Sequence, residues 1–565
     1  MIINRKATEK NKTRTGARRL CAAALAFALV FSLSACSAGP KSASAPADSD
    51  SAAPAPYEPS DAGGWDGESA GGVEPSMEPP SAPGNAGTWD DGYDYYDDYD
   101  SSYDYGGGES YSGLDPAGEH RTAKEPEATF SLKVDTAAYS NVKRYIEDGR
   151  MPPADAVRTE ELINWFGYDE PLEFQRSAPY GAGISPFGFY TEVGPSPFND
   201  DKLLALVRVG TRNVDKQDLP PSNLVFLIDV SGSMDSYDKL PLLKNSFGML
   251  AESLGRDDVV SIVTYASGTR VALEGARGSD TRKISKTVNG LKAGGSTAGE
   301  KGIQLAYKLA EEYFIEGGNN RVILATDGDF NVGLSDTDEL SRFISRKRDS
   351  GVYLSVLGFG TGNIRDDIME TLAKDGNGNY SYIDSRRTAE KVLVNELSSN
   401  LFTVADDVKA QIVFDPETVY SYRLIGYENR MLKKEDFDND RKDAGEIGAG
   451  SDVIALFEFE LQEPGMALSA RDHLYDVRVR YKDPGESRSD LIEFPVTGSY
   501  MPSRNSTDFG FVSAVAMFGE YLRDTGYGGR FGVRDLIDLA DENIGEDPNG
   551  YREDFIGLLT NLRRI

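Results

Sequence analysis

The sequence predicts an α/β fold in which a mostly parallel sheet, with helices on both faces, is inserted into a flanking β-sandwich, with helical segments at the N- and C-terminal ends of the folded part. Three observations carry this. First, apolar runs at 224–228, 259–265, 322–326 and 352–360 alternate with amphipathic stretches. Strands that are apolar along their whole length are buried on both faces, as in parallel sheets between helices. One intervening helix carries Leu240, Leu243, Phe247, Leu250 and Leu254 on a face, another Ile303, Ala306, Ala310 and Phe314. Second, the runs QIVF (411–414), VIALFEFEL (453–461), YDVRVRY (475–481) and LIEFPV (491–496) alternate as half-buried strands do. They are expected to pair with a strand at 203–210 (LLALVRVG) across the insertion, making one discontinuous sandwich. Third, helical spacing appears at both ends. Val157, Leu162, Ile163 and Phe166 follow a short strand near Thr129, and Phe511, Val515, Phe518 and Leu522 form a stripe within 507–563. Gly/Pro-rich turns are expected up to about residue 200.

The chain has 565 residues, room for three or four domains at about 150 residues each. The composition divides it into 1–35, 36–127, 128–221, 222–403 (the α/β domain, ending in a helix at about 387–403), 404–500 (β-rich) and 501–565 (helical). Lys and Arg number 60 against 92 Asp and Glu, a net charge of −32. Such an acidic surface excludes a nucleic-acid binder, which needs a basic footprint. The only histidines are His120 and His473, and there are two cysteines. This excludes HExxH chemistry, multi-histidine zinc sites, CxxC sites and a disulfide framework. No Walker A motif is present, so no nucleotide is expected.

Residues 1–35 read as a secretory signal. Arg5, Lys6, Lys10, Lys12, Arg14, Arg18 and Arg19 precede an apolar run at 21–35, shorter than the ~20 residues of a membrane span. The run ends in Leu33-Ser34-Ala35-Cys36, which resembles a bacterial lipobox. Cleavage there would discard Cys21 and leave Cys36 to carry the lipid; an ordinary signal peptide with an incidental Cys36 is the alternative. The expected location is the extracytoplasmic face of the cell membrane, or the outer membrane and periplasm in a cell with two membranes. Residues 37–127 hold few aliphatic residues and are expected to be a disordered acidic spacer, with an r.m.s. span of roughly 50 Å. Its Tyr/Asp-rich stretch, with Tyr93, Tyr95, Tyr96, Tyr99, Tyr103, Tyr105 and Tyr111, reads either as a solvated spacer or as a segment contacting wall, cations or a partner.

The first α/β strand ends in Asp229-Val230-Ser231-Gly232-Ser233, Thr297 lies in the loop GGSTAGEKG before a helix, and Asp327 ends the strand in LATDGD. In an open α/β sheet these loops meet at one rim. All five side chains offer oxygen, which suits a hard divalent cation: Mg2+, or another such as Mn2+ or Ca2+. With two charged ligands and three neutral hydroxyls, a further anion, the carboxylate of a protein partner, would complete the site. Asp and Ser are also favoured helix N-caps, so D-x-S-x-S alone is compatible with a cap; Thr297 and Asp327, in order at strand-to-helix junctions, favour a site. DFDND (Asp436, Asp438, Asp440) resembles a calcium loop, but Arg441 and Ile447 replace the Gly and Glu an EF-hand needs.

With these residues the chain resembles the von Willebrand factor A (VWA) family, whose domain is Rossmann-like, and D-x-S-x-S with the separate Thr and Asp looks like its metal-ion-dependent adhesion site. The resemblance implies that Ser231, Ser233 and Thr297 are hydroxyl ligands and that Asp229 and Asp327 act directly or through water. The flanks resemble a bacterial lipoprotein family: TFSLKVDTAAYSNVKRYIEDGRMPPADAVRTEELINWF is similar to its N-terminal module and YRLIGYENRMLKKEDFDNDRKDAGEIGAG to its C-terminal module. A lipid-anchored binding protein rather than an enzyme is expected, with an envelope scaffold holding a structural metal as the alternative.

Overall fold

The computed structural model describes residues 102–104, 108–116, 118–176, 184–214, 219–297, 299–328, 337–396, 402–463, 465–527 and 530–565. The signal segment, Cys36 and the tyrosines from Tyr93 to Tyr99 lie outside the described residues. At the centre is a six-stranded sheet in the order Thr269–Arg277, Val259–Tyr265, Ser222–Asp229, Asn319–Thr326, Tyr353–Phe359, Tyr380–Ile383, parallel except for its Thr269–Arg277 edge. Side chains of Ser222–Asp229 alternate between two cores. Leu224, Phe226 and Ile228 meet Leu240, Leu243, Phe247 and Leu250 of helix Leu240–Ser253. Val225 and Leu227 meet Ile303, Ala306 and Ala310 of helix Glu300–Glu312. Burial on both faces is why this strand carries no polar alternation.

Two antiparallel sheets enclose a second core that includes Phe130, Phe187, Phe189, Ile412, Phe414, Phe457, Tyr475 and Phe494. Strand Leu203–Thr211, before the insertion, pairs with Asp452–Leu461 after it, Val207 opposite Ala455. The sandwich is therefore discontinuous in sequence. Ala205, Val207 and Val209 face the sandwich core, whereas Leu204 and Leu206 face a third core built from both ends of the chain. There Tyr139, Trp165 and Phe166 meet Phe511, Phe518 and Phe555, with Phe166 edge-on to Phe511 at 5.1 Å and to Phe555 at 5.5 Å between ring centroids. Ser506 caps helix Thr507–Arg523 through the Phe509 amide, 3.1 Å away.

Three expectations need correction. The region read as turns up to residue 200 contains strands Glu173–Arg176 and Ile184–Pro195. Its glycines mark close packing: a Cβ on Gly188 would stand 2.8 Å from the Phe174 ring. The helical stripe through Phe314 stops early, at Glu312, and Phe314 is exposed. The spacer read as disordered to 127 is ordered over its last part. Ser110–Ser112 and His120–Arg121 are strands, the second adding to an edge of the sandwich. Glu109 and Tyr111 are buried, and Glu109 accepts two bonds from Arg144 (3.1 and 2.9 Å) and one from Tyr145 (2.6 Å). A few paired polar anchors hold what aliphatic content alone would not.

The α/β domain is joined to the rest through buried charge. Arg158 donates to Glu161 at 2.6 Å and to Asp366 at 2.5 Å, and all three are fully buried. Arg430 donates to Asp135 at 2.7 Å and to Glu370 at 3.3 Å. Asp366 and Glu370 belong to helix Asp366–Asp375 of the insertion. Removing one partner of a buried pair leaves an uncompensated charge, so Arg158→Met is expected to destabilise the protein by about 3–5 kcal/mol, measured as a lowered urea midpoint by near-UV circular dichroism; an unchanged midpoint would refute this role.

Candidate functional site

The strand order places the site. From Ser222–Asp229 the chain crosses to Val259–Tyr265 on one side, and from Asn319–Thr326 to Tyr353–Phe359 on the other. The carboxyl ends of these two central strands flank the crevice where open α/β sheets bind ligands. Asp229 is the last residue of one strand and Asp327 directly follows the other; both are fully buried.

The Asp229 carboxylate accepts the Ser231 amide at 2.7 Å and is approached by the Thr326 hydroxyl at 3.5 Å. The Ser231 and Ser233 hydroxyls stand 2.9 Å apart, and Ser233 also bonds to Asp327. The structure thus brings Asp229, Ser231, Ser233 and Asp327 together. Thr297 is half-buried on the adjoining loop. That loop is fixed to the Asp229–Ser233 turn by backbone, Gly232 N to Gly295 O and Gly294 N to Val230 O, both 2.9 Å. Gly295 has φ +91°, and a Cβ there would stand 2.5 Å from the Ser267 hydroxyl, so the loop needs glycine to lie this close. The contacts place the Thr297 loop, rather than its hydroxyl, beside the turn.

The two carboxylates are driven in opposite directions. Burial pushes the Asp229 carboxyl up to about 6; the Asp327 charge adds to the rise, and bonds from Ser231 and Tyr265 oppose it. For Asp327 burial also acts upward, but bonds from Lys239, Ser233 and Asn363 prevail and hold it below the ordinary range. Lys239 Nζ lies 2.8 Å from Asp327 Oδ2 and 3.2 Å from Asn363 Oδ1. Lys239 and Asn363 have no place in the D-x-S-x-S spacing. One signal was available: Lys239 is the N-cap of helix Leu240–Ser253, where the helix dipole disfavours a cation, so another group must hold it there.

The donor set is oxygen alone, and two carboxylates with neighbouring hydroxyls suit a hard cation. Among the described residues no group of three or more His, Cys, Asp or Glu is gathered, so metal chemistry at this rim would depend on the hydroxyls as well as the acids. The DFDND residues are engaged elsewhere. Asp436 accepts the Lys433 amide at 3.2 Å, and Asp438 and Asp440 pair with Arg480 at 3.1 and 3.5 Å.

This topology is that of a VWA-domain protein, and the family described as von Willebrand factor type A domain matches residues 223–396. The family described as von Willebrand factor matches 106–206, and that described as Uncharacterized protein YfbK, C-terminal, matches 399–565. The chain is 42% identical over 465 residues to Uncharacterized protein YfbK of Escherichia coli (strain K12), covering 80% of each chain; it belongs to the YfbK family. It is also similar to Uncharacterized protein sll0103 of Synechocystis, 29% identical over 327 residues, which cover 53% of this chain and 72% of the relative. Among solved structures, the von Willebrand factor type A protein from Catenulispora acidiphila matches with a TM-score of 0.41 and 17% identity, over 69% of this chain and 91% of that one.

The raised Asp229 value has a sign. The folded protein holds this proton more tightly than the unfolded chain, so with chelator present the fold loses stability as pH rises from about 4 to about 6 and stays lowered above that range. At about 1.4 kcal/mol per pKa unit, Asp229→Asn is expected to stabilise the chelated protein by up to ~3 kcal/mol at pH 7 and by little at pH 4. Thermal melting of both proteins across this range checks it; a variant less stable at pH 7 would contradict the sign.

Proposed function

We propose that this is a lipid-anchored, extracytoplasmic binding protein whose VWA domain holds a divalent cation, Mg2+ in the first instance, and uses it to take an Asp or Glu carboxylate from a protein partner. The observation that carries the proposal is the gathering of Asp229, Ser231, Ser233 and Asp327 at the switch point of the sheet, with the Thr297 loop fixed beside them. These five residues would hold the cation. When bound, the cation would supply a Lewis-acidic point for an incoming carboxylate. Asp229, lacking a cationic side-chain partner among its contacts, gains most from a cation, and the serine hydroxyls coordinate without adding charge. Binding rather than catalysis is supported by the placement of the histidines: His120 and His473 both lie on sandwich strands. The lipobox at Leu33–Cys36 and the acidic spacer after it support anchoring through Cys36.

Melting and capture of a partner test the two halves of the proposal. Mg2+ at a hundred times its Kd is expected to stabilise the wild type by about 2.7 kcal/mol, and Asp229→Ala to abolish the effect. A partner captured from envelope extracts with Mg2+ should be released by EDTA. Stabilisation by Mg2+ with partner capture indifferent to EDTA would favour the scaffold reading, and no response in either assay rejects the cation site. Cys36→Ser should move the protein from the membrane fraction to the soluble one.

A further inference from the structure

Lys239 is positioned by more than its ion pair. Its stem lies across Gly360, where a Cβ would collide with Lys239 Cγ, Cδ and Cε, and Gly360 has φ +76°. Glycine there is required both by the backbone and by the lysine. The ammonium is delivered between Asp327 and Asn363, with the lysine side chain 8% exposed and that of Asp327 fully buried. Asn363 is fixed in turn. A Cβ on Gly328, directly after Asp327, would collide with the Asn363 carbonyl oxygen and stand 2.8 Å from the Arg365 amide, and Gly328 has φ +100°. The loop before helix Asp366–Asp375 is thus packed against the end of strand Asn319–Thr326. Two glycines clear the space in which the lysine reaches the carboxylate, so Lys239 is part of the site's construction.

The charge count follows. Asp229 and Asp327 together carry two negative charges, which a dication alone would cancel. With Lys239 the three side chains sum to −1, and a bound dication makes the total +1. One carboxylate from a guest then brings it to zero. We propose that Lys239 makes the loaded site select an anion: it weakens the hold on the cation alone and strengthens the hold of the loaded site on a guest carboxylate. This rests on the cation-binding reading above and says what that reading leaves open, why the loaded site should attract a further carboxylate. Inside a buried rim, charge interactions are stronger than in water, and coupling of this kind is reciprocal: whatever the carboxylate gains from the cation, the cation gains from the carboxylate.

The test is calorimetric titration of Mg2+ alone into the full protein, wild type and the neutral variants Lys239→Met and Lys239→Gln. It is run with chloride and then with acetate as the main anion at constant ionic strength. Met keeps the stem across Gly360, and Gln keeps a donor near Asn363, so the two report on charge rather than packing; far-UV circular dichroism confirms which are folded. Both variants are expected to bind Mg2+ about tenfold more tightly than wild type in chloride. Acetate is expected to tighten Mg2+ binding by the wild type several-fold more than by the variants. If wild type binds Mg2+ and a folded neutral variant binds it equally or less tightly, or if acetate acts alike on all three, this inference falls and the cation site stands. If none of the three binds Mg2+, both fall.

Discussion

Arg158 and Arg430 place two positive charges where four carboxylates converge from separate parts of the chain: Asp135 and Glu161 from the N-terminal part, and Asp366 and Glu370 from the inserted domain. Taking such groups out of water costs several kcal/mol per ion and is offset only if the pairing geometry is good. An apolar seam could slide by a residue with little loss; this junction cannot, because each arginine bridges a carboxylate of the N-terminal part to one of the inserted domain. Both oxygens of Asp366 are engaged, one by Arg158 and the other by Asn141 at 3.2 Å. The junction therefore sets the position of helix Asp366–Asp375, and with it the Asn363 loop that precedes the helix and reaches Lys239 at the rim. The Glu109 carboxylate, which also accepts the Gly362 amide at 2.9 Å, holds the same loop from the other side.

The rim that results sets two acids in unlike surroundings. Asp327 is matched by a lysine and an asparagine; Asp229 is buried with hydroxyl and amide donors only. Unlike environments for neighbouring carboxyl groups are a recurring mark of sites rather than of cores. Asp229 is the acid of the pair whose burial is left uncompensated by a cationic side chain.

The α/β domain was readable because its strands are apolar on both faces, and the pairing of 203–210 across the insertion followed from the change of period on either side. The nearness of Asp229, Ser231, Ser233 and Asp327 was readable because they lie at or just after the ends of two neighbouring strands, where topology forces neighbours together. The strands at Glu173–Arg176 and Ile184–Pro195 were hidden by Gly and Pro, which read as turns until Gly188 is seen to make room for Phe174. The docking of Glu109 and Tyr111 was hidden for a different reason: one carboxylate matched to Arg144 and Tyr145 has no local pattern. Lys239 is the same case at the rim, since its partner Asp327 is remote in sequence and only the misfit of a lysine at a helix start hints at it.

The discontinuity of the sandwich bears on how the chain is made. Leu203–Thr211 leaves the ribosome long before Asp452–Leu461, its neighbour on one edge, exists. Until then a strand apolar on both sides waits with an open edge, a template for wrong pairing. The inserted domain forms from contacts within itself, and once folded it replaces a long flexible loop by a rigid body, lowering the entropy lost when the sandwich closes. Helix Tyr551–Leu562, made later still, packs Phe555 on Phe166 from the other flank of the insertion.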